Sequence, residues 1–351
     1  MSDRLQQYGL VPFFTRQLTD GGLLRDRLGR VVLVERSQST VVCQSGEHVV
    51  ELSSRLRDAP PIERPTVGDW VVLDPSLARI DTVLERKSLF KRLAAGRETG
   101  LQAIAANIDT MFIVTSCNEE FKESRLERYL ALSAEAGALP VIVLTKTDLA
   151  EDASGFAARA RGVQAGLPVE TVNALDPATL GGVLAWIDET STVALVGSSG
   201  VGKSTLLNAL AGRALEATGA IRDDDKKGRH TTTHRALYRL PSGGLLIDVP
   251  GMRELAVADI EHSLGQVFDD IEQLAMQCRF SDCEHHNEPG CAVLQAIADR
   301  RLDPRRLANY RKLLRENSHA TASLAEKRAK GRELALMVRQ VKSLKQDKGV
   351  S

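Results

Sequence analysis

No excess of charge of either sign marks this chain: 46 Lys and Arg balance 46 Asp and Glu. Bulk charge therefore offers no argument for a nucleic-acid partner. No apolar run reaches the roughly 18–20 residues of a membrane span, and the N-terminal segment Met1-Ser2-Asp3-Arg4-Leu5-Gln6-Gln7 lacks the apolar stretch of a secretory signal. Cysteine is scarce, with five in 351 residues and three of them inside Cys278–Cys291, which argues against a disulfide framework. A cytoplasmic protein with no membrane partner is expected, and its length suits two or three domains. The neutral total hides one asymmetry: from Ala296 onward, 15 Lys and Arg face 6 Asp and Glu, so the last segment is basic.

Three zones of composition follow one another. Between about residues 30 and 93, short β-rich runs such as Arg30–Glu35, Ser39–Cys43 and Gly68–Leu73 alternate with turn formers, the spacing of a small all-β barrel. From Leu101 to Ala256 strands alternate with helices. Met111–Val114, Val141–Leu144, Val169–Val172 and Val193–Val196 read as buried strands, and Glu123–Ala136, Ala153–Ala165 and Pro177–Ile187 as helices. Continuous apolar strands separated by helices predict a parallel sheet covered on both faces, with ligands beyond the carboxyl ends of its strands. From about Asp259 the chain reads as helical, and Leu324–Leu344 as an exposed helix or a partly disordered tail.

The sharpest motif is Gly197-Ser198-Ser199-Gly200-Val201-Gly202-Lys203-Ser204-Thr205. It follows a strand and opens a helix read over Ser204–Ala214, the setting in which this spacing is a phosphate loop. Its glycines let successive N–H groups face a β-phosphate while the helix N-terminus adds partial positive charge. Lys203 reaches the β- and γ-phosphate oxygens, and Ser204 ligates Mg²⁺. Thr145-Lys146-Thr147-Asp148 ends an earlier strand. The Asp148 carboxylate can accept from guanine N1–H and its exocyclic amine, a donor pair that adenine lacks. Lys146 can lay its stem along the purine face, and Asn173-Ala174 at the next strand end is placed to contact guanine O6 through the backbone. Thr145 stands where GTPases usually carry Asn. Guanine motif before phosphate loop is the reverse of the ordinary order, and indicates a circularly permuted GTPase.

Asp248-Val249-Pro250-Gly251 follows the strand Leu245–Ile247. Asp248 would hold Mg²⁺ through water, and the Gly251 N–H would bond the γ-phosphate. In Gly228-Arg229-His230-Thr231-Thr232-Thr233, either Thr232 or Thr233 would complete the Mg²⁺ shell. Met252 stands where many GTPases place a water-orienting Gln. His230 is the candidate for that task, with a surface or partner-contacting histidine as the alternative. The missing Gln also leaves open an RNA-binding scaffold that uses GTP as a structural ligand only.

Cys278-x4-Cys283-x-His285-x5-Cys291 supplies three thiolates and an imidazole within fourteen residues, a set suited to one closed, structural tetrahedral Zn²⁺. Spacing alone does not settle between His285 and the adjoining His286, and His285 is preferred. The spacing does not match a two-plus-two DNA-binding finger. Cys43 and Cys117 lie in strand contexts and read as core thiols.

Together with Val67-Gly68-Asp69-Trp70-Val71, Ile104-Ala105-Ala106-Asn107-Ile108-Asp109, Arg125–Leu130 and Glu288-Pro289-Gly290, these motifs resemble the RsgA (YjeQ/EngC) family over roughly Gln7 to Arg315. The resemblance implies an α/β phosphate-loop GTPase domain, circularly permuted, flanked by an N-terminal OB-type barrel and a C-terminal helical zinc-binding domain. Boundaries at 1–95, 96–257 and 258–351 are expected. It further implies a monomer that binds GTP with Mg²⁺, contacts rRNA of the small ribosomal subunit, and hydrolyses GTP to GDP late in that subunit's maturation under its stimulation.

Overall fold

The computed structural model describes residues 3–20, 25–35, 38–93, 100–213, 235–248 and 260–322. They form two compact units: one from the described residues of Met1–Ala59, Glu63–Lys91 and Ala103–Leu255, the other from those of Pro60–Ile62, Arg92–Gln102 and Ala256–Ser351.

In the first unit, helix α1 (Pro12–Asp20) precedes strands β1 (Leu28–Val34), β2 (Ser39–Cys43) and β3 (Gly46–Leu52); helix α2 (Ser54–Asp58), β4 (Trp70–Leu73) and β5 (Arg79–Val83) follow. The strands pair in the order β1-β2-β3-β5-β4, and β4 pairs back onto β1, so five strands close into a barrel with no free edge. The β3–β5 pair is parallel and the others are antiparallel. Strand alternation divides the side chains between two cores. Val31, Val41, Val50, Val71, Leu73 and Ile80 fill the barrel, while Leu28, Trp70 and Val72 pack against Phe14 and Leu18 of α1. A separate ribbon pairs β6 (Leu89–Leu93) with β7 (Leu101–Ala106), of which Arg92, Leu93, Leu101 and Gln102 count with the second unit.

The same unit continues through β8 (Thr110–Ser116), α3 (Glu123–Ala136), β9 (Leu139–Thr145), α4 (Ala153–Arg161), β10 (Val169–Thr171), α5 (Gly181–Leu184), β11 (Thr192–Val196), α6 (Lys203–Ala211), β12 (Arg235–Arg239) and β13 (Leu245–Asp248). Their order is β10-β9-β8-β11-β13-β12, parallel except for β12. All seven residues of β8 are buried, as a strand covered on both faces requires. From β8 the chain moves outward to β9 and β10, then crosses back to place β11 on the other side of β8. The loops after β8 and β11 therefore diverge, and such a switch point opens a ligand crevice. Through β1–β12, which pairs Leu33 with Ala236 and Val34 with Arg235, barrel and parallel sheet join into one eleven-stranded sheet.

Three helices are shorter than the pattern predicts. The one expected over Ala153–Ala165 ends at Arg161, where Gly162 donates its N–H to Ala158 O. The region expected to be helical over Pro177–Ile187 holds a 3-10 turn at Pro177–Thr179 and the single turn α5, since adjacent glycines at 181 and 182 are poor helix formers. The helix expected over Ser204–Ala214 runs Lys203–Ala211, stopped by left-handed Gly212.

In the second unit, α7 (Glu261–Val267), α8 (Asp269–Ala275) and α9 (Ala292–Ala298) are joined by a helix α10 described over 304–322. Leu264, Phe268, Ile271, Val293, Leu307 and Leu313 are buried. Arg306 of α10 pairs with Asp270 through two bonds of 2.7 and 2.9 Å, donates to Val267 O at 2.7 Å, and lies 4.8 Å over the Phe268 ring. Among the described residues, no helix is long and apolar enough to cross a membrane.

Candidate functional site

β8, β9, β11 and β13 end at Ser116, Thr145, Val196 and Asp248. The phosphate-loop, guanine and Asp248 motifs thus all stand at carboxyl ends of one parallel sheet.

The loop between β11 and α6 depends on glycine at two points for different reasons. A Cβ on Gly197 would sit 2.2 Å from Val114 O, so the chain there passes directly over the β8 backbone. Gly202 has φ +89°, and a Cβ there would approach Thr145 Oγ1 to 3.3 Å. The loop consequently lies against the guanine motif, and three hydrogen bonds organise it. Thr145, 1% exposed, donates its hydroxyl to Val201 O at 2.5 Å, with Thr115 O a longer contact at 3.3 Å. Lys146, in the left-handed region at φ 55°, donates Nζ to Gly200 O at 2.7 Å. Lys203, the first residue of α6, donates Nζ to Ser198 O. Ser198, Gly202, Ser204 and Thr205 are half-buried, and Ser199 and Gly200 are exposed.

Asp148 is exposed in the 3-10 turn Thr147–Leu149 that follows. α4 leads away from this turn behind an Asp152 cap that accepts from Gly155 N at 2.8 Å. At the end of β10, Asn173 Oδ1 accepts from Leu175 N at 3.0 Å, and Asn173 N donates to Thr179 Oγ1 at 3.1 Å. The Asn173 side chain is thus engaged in its own turn beside half-buried Ala174. Asp248 is half-buried at the end of β13. His230, Thr232, Thr233 and Gly251 lie outside the described residues.

The cysteine cluster is built in the second unit. Cys278, Cys283, His285 and Cys291 bring their ligand atoms within 4.8 Å of one another. Cys278 Sγ stands 3.8 Å from Cys291 Sγ and 3.6 Å from His285 Nδ1, and Cys291 Sγ stands 3.4 Å from that nitrogen. Tetrahedral zinc, bonded to sulfur at about 2.3 Å and nitrogen at about 2.0 Å, separates sulfurs by about 3.8 Å and sulfur from nitrogen by about 3.6 Å. The donor set and its spacing fit that ion. A disulfide, near 2.0 Å, is excluded at this sulfur separation.

The loop's own bonds discriminate between the two histidines. His285 is buried at φ 61°, and its carbonyl and that of Glu284 accept from Arg311 Nη2 of α10. Glu288 accepts from Glu284 N at 3.0 Å and Asn287 N at 2.9 Å. Left-handed Gly290, φ +80°, turns the chain back to Cys291, against the Arg279 side chain. His286 instead has a side chain 62% exposed, 3.7 Å from Glu284. Arg311 had no signal in the sequence, because a helix residue twenty positions beyond the last cysteine belongs to no motif. Cys43 and Cys117 are buried, and burial pushes both thiols up to about 11.

The permuted strand order, the phosphate loop at the switch point and the barrel ahead of them define a circularly permuted GTPase. A family model described as RsgA GTPase matches residues 83–258. The chain is 46% identical over 344 residues to small ribosomal subunit biogenesis GTPase RsgA 2 of Vibrio parahaemolyticus, a match spanning 97% of this chain and 94% of that protein. It is 45% identical over 325 residues to small ribosomal subunit biogenesis GTPase RsgA of Mesorhizobium japonicum, spanning 91% and 92% of the two chains. The crystal structure of YjeQ from Thermotoga maritima superposes with a TM-score of 0.61 at 26% identity, over 83% of this chain and 98% of that one. The structure of YloQ, described as a circularly permuted GTPase, gives 0.56 at 26%, over 83% and 95%. The chain belongs to the RsgA GTPase family.

Proposed function

We propose that this protein docks on the small ribosomal subunit through rRNA contacts that include the barrel, and hydrolyses GTP to GDP there late in subunit maturation, faster on the subunit than off it. The observation that carries the guanine-nucleotide part is the joining of two motifs: Thr145 and Lys146 bond the carbonyls of Val201 and Gly200. The two motifs thereby lie against each other, which supports one nucleotide spanning both. The relatives named above, which carry small-subunit biogenesis in their names, support the partner.

In this reading Asp148 accepts from the guanine N1–H and amine, Lys146 lines the purine face, and Thr147 belongs to the same turn. Asn173-Ala174 offers backbone to O6. Residues Gly197 to Thr205 wrap the phosphates, with Lys203 moving from Ser198 O onto phosphate oxygens. Ser204 and Asp248 offer oxygen donors of the kind Mg²⁺ takes, and the ion would neutralise charge building on the β- and γ-phosphates. Thr232 or Thr233 completes that shell, Gly251 N–H meets the γ-phosphate, and His230 orients water in place of Gln. Cys278, Cys283, His285 and Cys291 hold one structural Zn²⁺. The working division is 1–95, 96–257 and 258–351, in a cytoplasmic monomer.

Multiple-turnover GTP hydrolysis, measured alone and with purified small or large subunits, tests the reading. Stimulation by the small subunit is expected. A rate unchanged by it would overturn the proposal.

A further inference from the structure

The sequence motifs Val67–Val71 and Ile104–Asp109 take no part in nucleotide or zinc chemistry. In the fold they meet at Arg30 of β1. This guanidinium is 1% exposed. Nε donates to Gly68 O at 3.2 Å, Nη1 to Tyr8 O at 2.5 Å, and Nη2 to Asn107 O at 3.3 Å and Thr192 Oγ1 at 2.9 Å. The Trp70 ring lies 5.6 Å away. Burial pushes the Arg30 pKa down to about 10 against the pull of Asp109 and Asp69, which leaves the group charged at neutral pH.

A charge taken out of water is destabilising unless its donors are met. Here each acceptor belongs to a different segment: the N-terminal arm, the barrel, the turn after β7, and the first residue of the strand that ends at the phosphate loop. The surrounding seam is equally tight. A Cβ on Gly68 would sit 2.1 Å from Ala106 O, and one on Gly9 would sit 2.6 Å from both Arg30 Nη1 and Thr190 O. Asn107, left-handed at φ 57°, donates Nδ2 to Gly68 O at 3.0 Å and accepts from Lys87 N at 2.9 Å. Asp109 accepts from Thr192 N at 2.8 Å and from Lys87 Nζ at 2.5 Å.

We propose that Arg30 is a positioning residue that locks the barrel and the nucleotide-binding sheet into one rigid body, so that a barrel seated on RNA fixes the orientation of the strand carrying the phosphate loop. The inference rests on the proposed docking of the barrel on the subunit. Its physical basis is preorganisation: a hinge at this seam would have to be ordered at every encounter, and displacing a catalytic site by about 1 Å can lower turnover about a hundredfold.

Thr192→Val is the first test because it removes one acceptor and keeps the strand's β-branched shape; Thr192→Ser is the conservative control, and Arg30→Met the stronger variant. Native-state hydrogen exchange on the full chain should show β1 and β11 amides sharing one opening free energy in the wild type. In Thr192→Val the β1 amides should open first. Intrinsic kcat and the KM for GTP should stay within about twofold, while subunit-stimulated kcat falls about fivefold or more and Thr192→Ser behaves as wild type. Separate opening of β1 and β11 in the wild type would overturn the seam, as would full stimulation of Thr192→Val. A wild type that small subunits fail to stimulate sinks the proposed function instead, and exchange alone then judges the seam.

Discussion

Thr145→Val isolates the contact between the guanine motif and the phosphate loop. Valine keeps the shape of threonine in a position 1% exposed, yet removes the hydroxyl that donates to Val201 O at 2.5 Å. A neutral hydrogen bond contributes about 0.5–1.5 kcal/mol net, and each 1.4 kcal/mol is tenfold in affinity. The loop must then be ordered by the nucleotide rather than presented to it. GTP and GDP should bind about two- to tenfold more weakly. The bond touches the phosphate loop and not the base, so adenine nucleotides should weaken by the same factor and the guanine preference should hold. Thr145→Ser, which keeps the donor, should bind nearly as wild type. Isothermal titration calorimetry with GDP, a non-hydrolysable GTP analogue and ADP measures all three. Wild-type affinity in Thr145→Val, or a loss confined to guanine nucleotides, would refute the reasoning.

Asp148→Asn replaces an acceptor pair with an amide, so GTP hydrolysis should fall while xanthosine triphosphate, whose second carbonyl matches the new donor, is hydrolysed better than by wild type. Competition kinetics would show whether preference switches. Zinc content by elemental analysis should be about one ion per chain, and Cys291→Ser should lose it and destabilise the helical unit, since structural zinc supplies folding free energy of about 10 kcal/mol in the smallest domains. Of the five cysteines, three should react with a thiol reagent at neutral pH once a chelator is present. Cys43 and Cys117, 0% and 4% exposed in the first unit, which contains none of the four candidate zinc ligands, should react only on unfolding. Early reaction of all five would contradict this.

Much of the site was legible because its requirements are short-ranged. A strand, a glycine loop and a helix start are consecutive residues, and so are the ligands between Cys278 and Cys291. Helix ends were less legible. Gly162 and Gly212 stop α4 and α6 earlier than apolar periodicity implies, because a helix ends where its last carbonyls find partners. Thr145 was read in sequence only as a departure from Asn. Its hydroxyl proves to be a buried link to a residue 56 positions away, which no local pattern contains.

The sequence by itself determined the chemistry on offer: a glycine loop between strand and helix, an exposed carboxylate in the turn after β9, a cysteine–histidine set, and the permuted order in which they come. These follow from residue type and near-neighbour spacing. Only the tertiary structure decided that β4 returns to β1 to close the barrel, that His285 rather than His286 turns toward the thiols under Arg311, and that Arg30 reaches Thr192 across 162 positions. Those outcomes depend on which distant backbone carbonyls and hydroxyls a buried donor must find. Burial, a property of the packed chain, sets that demand.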